Sequence, residues 1–466
     1  MKKLFKDPLF VFSVSFYLLL TLPRFMWRGM FLDGASFASM AVNLAMGKGS
    51  FWHLYYTKTI PYFADHPSLA MWLQSWALKV FGFSTTVDTL WSVGLGLIII
   101  FLIALLYKEI TREEKAWWPV TLFIIMPLVP WSLTNNMLEN TMTVFVLLSS
   151  IFIFKATKAK KVSGTILFST LSGAALWCAL FSKGFQGLFP FAIPLFAFVT
   201  LKDIKPSKAF AATVVTITTF LCFIGVTYLW GRDEFRTFAN DYINGQIIAS
   251  LSGQREAVAN KFYLFYRLLG EIVVPFTVAG IIALIYKAIK RTPITAGKTK
   301  PALFFLLIAL SASIPLCLVA KQKGWYLFTS LPFYAMAVAA FFTPPTINPR
   351  NKKAILVVSA AMALISITCF TVFRDTLVSR DKELYQDIVL QNVFIPESDT
   401  VSVCPDRAAQ DWALVAYFQR NYRVSLMPSG NEKCDEFIKG CTLINNNPKK
   451  FALYKCGQYS SIVALY

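Results

Sequence analysis

Residues 88–107 read DTLWSVGLGLIIIFLIALLY, and after Asp88 no charge interrupts them. As a helix this stretch is about 30 Å long, the thickness of a bilayer's hydrocarbon core. Similar apolar stretches recur at 8–27, 117–133, 141–155, 164–182, 185–201, 209–230, 271–287, 302–320, 325–342 and 354–373, which makes eleven. Lipid offers the backbone no hydrogen bonds, so these segments must be helices. The expected fold class is an all-α polytopic membrane protein with about eleven transmembrane helices.

Composition agrees. The chain has 466 residues, 56% hydrophobic, with 43 Phe and a mean hydropathy of +0.55. Charged residues make up 15%, against about 25% in soluble domains. The net charge of +20 gathers in short loops: Lys2–Lys6, Lys108–Lys115, Lys155–Lys161, Lys202–Lys208, Lys287–Lys300 and Arg350–Lys353. Cations placed there set topology and meet anionic lipid headgroups, which argues against nucleic acid as a partner. These loops alternate with poorer ones, so the basic side and the N-terminus are expected in the cytoplasm. The first span lacks a small-residue cleavage pattern and is expected to stay uncleaved.

The other side is expected to hold the long loop 28–87, the turns near 134–140 and 183–184, the loop 231–270, the turn 321–324 and the tail 374–466. In the loop, residues 37–45 and 69–79 read as amphipathic helices lying in the membrane interface. The tail is polar and turn-rich, with strands expected at 400–403, 422–426 and 462–465 and a helix at 408–418. It reads as a small extracytoplasmic α/β domain. Its Cys404, Cys434, Cys441 and Cys456 suggest two disulfides in one of three pairings. Cys178, Cys222, Cys317 and Cys369 fall inside spans and read as apolar filler. Two domains are thus expected, 1–373 in the membrane and 374–466 outside it.

Polar residues with chemical potential collect on the outer side. Asp33 follows the first span in Phe31-Leu32-Asp33-Gly34, as a candidate base or a helix cap. Asp65-His66 could bind a divalent cation or orient a phosphate, or be ordinary loop residues. Glu139 sits at the edge of an uncharged span pair with no basic partner in its own turn. Lys183 lies in Ser182-Lys183-Gly184-Phe185-Gln186-Gly187, a counter-charge for phosphate or a snorkelling lysine. Lys321, Lys323 and Tyr326 form a late outer turn, and Arg232, Arg236, Arg255, Lys261 and Arg267 form a basic patch. A lipid or solute transporter is the rival class. It predicts broken helices with charges near the midplane, whereas these charges gather at outer turns.

In this order the motifs resemble those of the GT-C membrane glycosyltransferases related to protein O-mannosyltransferases and to the aminoarabinose transferase of lipid A. Asp33 stands after the first span and Glu139 where the family has a second acid. Phe63 to Leu73 is similar to its HPPL…WL loop, Ser182 to Gly187 to its TKGPxG turn, and Lys323 to Pro332 to its K…Y…LP segment. The chain departs at Gly34, where the family often has Glu, at Ser68 for the second loop proline, and at Asp65-His66 for a Glu-Lys pair. The resemblance implies transfer of a hexose or pentose from a polyprenyl-phosphate sugar, with inversion, at the periplasmic face of an inner membrane. The acceptor would be a glycolipid such as lipid A, another envelope glycan or a protein. Asp33 would be the general base, and Lys183, Lys321, Lys323 and Tyr326 would hold the donor phosphate. Glu139, Asp65, His66 and Arg255 would order the site. His66, Asp65 and Glu139 are the candidate ligands if a divalent metal takes part.

Overall fold

The computed structural model describes residues 4, 6–201, 203–255, 257–290, 298–342, 351–374, 376–378, 382–384, 387, 399–404, 406–430, 434–445, 447–456 and 459–464. Lys2, Lys3, Lys202, Arg291, Arg350 and Leu465, which fall within the ranges given above, lie outside the described residues. The chain is mostly helical: α1 (Pro8–Thr21), α2 (Leu32–Ala45), α3 (Leu69–Phe81), α4 (Thr85–Thr111), α5 (Trp117–Ile124), α6 (Leu128–Thr134), α7 (Leu138–Lys158), α8 (Val162–Lys183), α9 (Ile193–Thr200) and α10 (Pro206–Asp241) come first. Then follow α11 (Ala249–Leu251), α12 (Tyr263–Lys290), α13 (Thr299–Cys317), α14 (Leu331–Phe341), α15 (Lys352–Thr371), α16 (Lys382–Leu384), α17 (Trp412–Tyr422) and α18 (Cys434–Phe437).

Among the described residues, nine helical segments are long and apolar enough to cross a membrane. The other two expected spans differ in form. The segment at 117–133 is the pair α5 and α6, bent by 79°. Pro127 and Pro130 remove backbone donors there and break the run. The pair itself holds no charged side chain, and at the break Glu271 of α12 accepts from the Leu128 amide at 2.9 Å. The segment at 185–201 is shorter still, because Gly184, Gly187, Pro190 and Pro194 split it into 3₁₀ turns and α9.

The outer loop carries the two expected helices, and the first of them packs into the molecule. Every residue of α2 from Gly34 to Leu44 is buried. Its polar face, which reads as solvent-facing in the sequence, is satisfied internally. The Ser36 and Tyr56 hydroxyls share a hydrogen bond of 3.1 Å. Asn43 Nδ2 donates to the carbonyls of Tyr55 and Tyr56 at 3.1 and 2.9 Å. By contrast α3 keeps one exposed edge, with Trp76 half-open.

The tail forms a five-stranded sheet from β3 (Thr400–Cys404), β4 (Ser425–Pro428), β5 (Thr442–Leu443), β6 (Phe451–Cys456) and β7 (Tyr459–Ala464), in the order β4-β3-β7-β6-β5. The strand β3 runs parallel to both β4 and β7, while β6 is antiparallel to β5 and β7. Disulfides join Cys404 to Cys434 and Cys441 to Cys456. The tail helix α17 starts four residues later than expected, because Asp411 caps it by accepting from the Ala413 and Leu414 amides. Phe451–Cys456 is a strand that the turn-rich sequence concealed.

The tail also joins the rest of the chain. The short strand β1 (Trp27–Arg28) pairs in parallel with β2 (Leu377–Val378). Phe37, Met40 and Ala41 of α2 share one apolar core with Val403, Leu414, Phe418 and Phe451. Outer loop and tail therefore bury one another's apolar faces, so neither is a free-standing unit.

Candidate active site

Asp33 lies in the first turn of α2, one residue after the helix begins, so it is not the cap; Phe31 takes that position. A carboxylate in the first turn complements the helix dipole. The segment leading to it is fixed from two sides. The Phe31 amide donates to Asn135 Oδ1 at 2.8 Å, and its ring meets Trp131 and Trp325 edge-on, with centroids 5.1 and 4.9 Å away. Asn136, at φ +52°, donates from Nδ2 to the Gly34 carbonyl at 3.2 Å.

Gly34 has a steric reason to be glycine. A Cβ placed there would sit 1.8 Å from the Asn135 carbonyl oxygen. The Glu that the resemblance leads one to expect at this position cannot be accommodated on this backbone. Gly34→Ala is accordingly expected to cost about 3 kcal/mol by forcing backbone apart. Reduced folded yield on size exclusion checks this, together with lost activity in the fraction that folds.

Glu139, in the first turn of α7, does have a basic partner, from another helix. Lys183 at the end of α8 places its Nζ 2.9 Å from Glu139 Oε1, and both side chains are fully buried. Apart from this ion contact the carboxylate has no hydrogen-bond partner among the described residues. Lys183 does not snorkel. It lies over the rings of Phe37 and Tyr326, 5.8 and 5.5 Å from their centroids. The following Gly184, at φ +128°, makes room for the Tyr242 hydroxyl, which would lie 2.1 Å from a Cβ there. That hydroxyl donates to the Lys183 carbonyl at 3.4 Å.

Asp65 is clamped by Arg255 through two parallel bonds of 2.8 and 3.0 Å, and Arg255 also meets Gln246. Of the basic patch in the 231–270 loop, this residue reaches the site. Arg236 pairs instead with Asp233, and Arg267 with Glu271 at 3.2 Å. His66 packs edge-on against Phe37, with ring centroids 5.5 Å apart, and tilted against Phe63. His53, the other histidine, stacks on Tyr62 and is exposed.

Part of the His66 surface stays open, yet protein atoms crowd the imidazole and Lys183, Lys321 and Arg255 lie within electrostatic reach. Crowding first, and those cations second, hold its pKa well below the usual 6.5. At neutral pH the ring is uncharged. The unfolded chain takes up this proton near pH 6.5 and the folded one does not. Stability therefore falls as pH drops below about 6.5 and gains nothing from this group above it. A His66→Asn protein is expected to lose less melting temperature between pH 7.5 and 5.5 than the unchanged protein.

The late turn is anchored by a residue the sequence did not single out. Gln322, buried between the two lysines, accepts from the Leu264 amide at 3.0 Å. It also donates to the carbonyls of Lys261, Cys317 and Val319. Lys323 lies over the Trp325 ring, 6.0 Å from its centroid, and Trp325 packs against Phe31. Asp33 in turn lies within electrostatic reach of Glu139, Tyr56 and Tyr326. Asp33, Asp65, His66, Glu139, Lys183, Arg255, Lys321 and Tyr326 thus form one cluster, and Lys323 lies at its edge over Trp325. The cluster holds three acids and three cations, and Lys323 beside it adds positive charge that suits a phosphate.

The donor set proposed for a metal does not fit one. Among the described residues no three His, Cys, Asp or Glu side chains are grouped to hold an ion. Asp65 and Glu139 each face a cation of the chain, and His66 faces aromatic rings.

Comparisons with known proteins bear on the fold. Residues 65–228 match the model of the dolichyl-phosphate-mannose-protein mannosyltransferase family. No curated protein sequence matches the chain. The crystal structure of ArnT from Cupriavidus metallidurans bound to undecaprenyl phosphate superposes with a TM-score of 0.62 at 15% identity, over 90% of this chain and 86% of that one. The same enzyme in the apo state gives 0.60 at 15% identity, over 91% and 85%. The oligosaccharyltransferase of Archaeoglobus fulgidus, in complex with Zn and sulfate, gives 0.50 at 12% identity, over 91% and 62%. The chain is a multi-span membrane protein with the GT-C fold of ArnT, and it is similar to the membrane glycosyltransferases that its motifs resemble.

Proposed function

We propose that the chain is an inverting glycosyltransferase that moves a sugar from a polyprenyl-phosphate carrier to an acceptor hydroxyl at the outer membrane face. The observation that carries this reading is the acid–cation cluster, which joins an acid at a helix start to an excess of cations at one end of the bundle. The fold of ArnT, which was crystallised with undecaprenyl phosphate, supports a lipid-phosphate donor.

In this reading Asp33 takes the acceptor's hydroxyl proton as the oxygen attacks the anomeric carbon. The bond from that carbon to the phosphate oxygen breaks, and its electron pair leaves with the polyprenyl phosphate. Lys183, Lys321, Lys323 and Arg255 stabilise the charge that grows on the leaving phosphate. Tyr326 and neutral His66 line the pocket and fix the donor's orientation. Glu139 keeps Lys183 in place. No step is routed through a metal. In this reading the N-terminus is in the cytoplasm, and loop 28–87 and the tail are in the periplasm of an inner membrane; the basic loops support that orientation. The acceptor class is a glycolipid such as lipid A, another envelope glycan or a protein.

The test compares lipids, glycans and proteins from cells with and without the gene by mass spectrometry, and measures donor turnover by the purified protein. A sugar mass lost with the gene, and released from a polyprenyl-phosphate sugar in vitro, is the expected result. Unchanged profiles together with an inert donor would overturn it.

A further inference from the structure

The tail contributes none of the cluster's side chains, yet α17 is wired to the backbone that carries Asp33. Arg420 is buried and donates from Nε to Asp88 Oδ2 at 3.0 Å and from Nη2 to the Thr85 carbonyl at 3.1 Å. Asp88, at the start of α4, accepts on its other oxygen from Gln74 Nε2 at 3.0 Å. The Gln74 carbonyl oxygen accepts from Asn136 Nδ2 at 3.1 Å, and the same nitrogen reaches the Gly34 carbonyl at 3.2 Å. Arg420, Asp88, Gln74 and Asn136 are each more than nine-tenths buried. A second tether runs beside the first. The Tyr417 hydroxyl donates to the Met30 carbonyl at 3.0 Å and accepts from the Met30 amide at 3.2 Å.

We propose that Arg420 is a positioning residue, and that the tail acts as a clamp that sets Asp33 for proton abstraction through the relay Arg420–Asp88–Gln74–Asn136–Gly34. This rests on the glycosyltransferase reading. The physical case is that a buried ion pair is a poor source of net stability against an apolar replacement. A fully satisfied buried polar chain does fix geometry, because its alternatives leave unpaired groups in a low dielectric. The first link of this relay joins residues 332 positions apart, Arg420 and Asp88. The chain therefore cannot close the site until the tail has folded against it.

The test cuts the relay without leaving a buried charge. Gln74→Leu severs its middle while Asp88 keeps Arg420 and Asn136 keeps Gly34. The pair Arg420→Gln with Asp88→Asn neutralises its far end. Lys58→Ala, which removes the half-exposed contact to Asp399, is the control and should change nothing. Both relay variants are expected to stay monodisperse and to lose kcat by about 10–100-fold, with donor KM within about threefold. Amide hydrogen exchange over residues 28–37 should rise in both. Folded relay variants with unchanged kcat and exchange would overturn the proposal. So would a fall in folded yield with unchanged kcat per folded molecule, which would make the relay a stability element alone. An unchanged protein that leaves polyprenyl-phosphate sugars untouched would instead sink the transferase reading, and the exchange data would still report whether the clamp exists.

Discussion

An Asp33→Asn protein is expected to fold and to lose sugar transfer by roughly 10²–10⁴-fold, the usual contribution of a positioned general base. The amide cannot take the acceptor's proton, but it fills the same space at the start of α2. The fold loses at least the carboxylate's interaction with the helix N-terminus, about 0.3–1 kcal/mol. Activity is therefore expressed per folded molecule, with folded yield read by size exclusion, so that lost chemistry and lost fold are told apart. Asp33→Glu is expected to recover part of the rate. Its carboxylate sits one methylene further out on a segment whose next residue, Gly34, is pinned against Asn135. Donor KM should stay close to unchanged in both, since Asp33 is assigned to the acceptor. Full transfer by a folded Asp33→Asn protein would remove Asp33 from the chemistry.

The lone charges at the edge of apolar segments were visible in the sequence because placing them there is costly, and that cost marks Asp33, Glu139 and Lys183. Their partners were not visible. Glu139 has no cation in its own turn, and only the packing of α7 against α8 supplies Lys183. Similarly, Arg420 lies beyond the helix expected at 408–418, and nothing in its own segment points to Asp88 as its partner. The full burial of α2 was hidden for the same reason. Ser36, Ser39 and Asn43 imitate a wetted face, and the groups that satisfy them come from residues 55–56 and from the tail, where Gln419 donates to Asn43 at 3.0 Å. Hydrophobic spacing defined the long spans, whereas the bend at Met126–Pro127 and the short 185–200 segment depend on where proline and glycine interrupt it. Pattern therefore located the elements and the site, while the connections that hold the site are long-range polar contacts that no local rule encodes.

The Lys183–Glu139 pair allows structure and chemistry to be separated. Lys183→Met should be severely destabilised, by about 3–5 kcal/mol, because it strands a carboxylate in a fully buried position. Adding Glu139→Gln removes that uncompensated charge, and the double variant is expected to regain most of the folded yield, since replacing both partners of a buried pair is often near neutral. Activity should not return with it. If Lys183 helps to neutralise the departing phosphate, a folded protein without that ammonium loses about 10²-fold or more in kcat, as other sites do when one preorganised donor to a developing charge is removed. Donor KM should rise as well, because the ground-state phosphate loses the same partner. Glu139→Gln alone strands the buried Lys183 ammonium and is expected to lose folded yield in its turn, less than Lys183→Met does because the Phe37 and Tyr326 rings still face the cation. If the double variant recovered transfer in step with its folded yield, Lys183 would be a structural partner of Glu139 only. The phosphate would then fall to Lys321, Lys323 and Arg255. Folded protein with absent turnover keeps Lys183 in the chemistry and gives Glu139 the task of holding a cation in place for the donor.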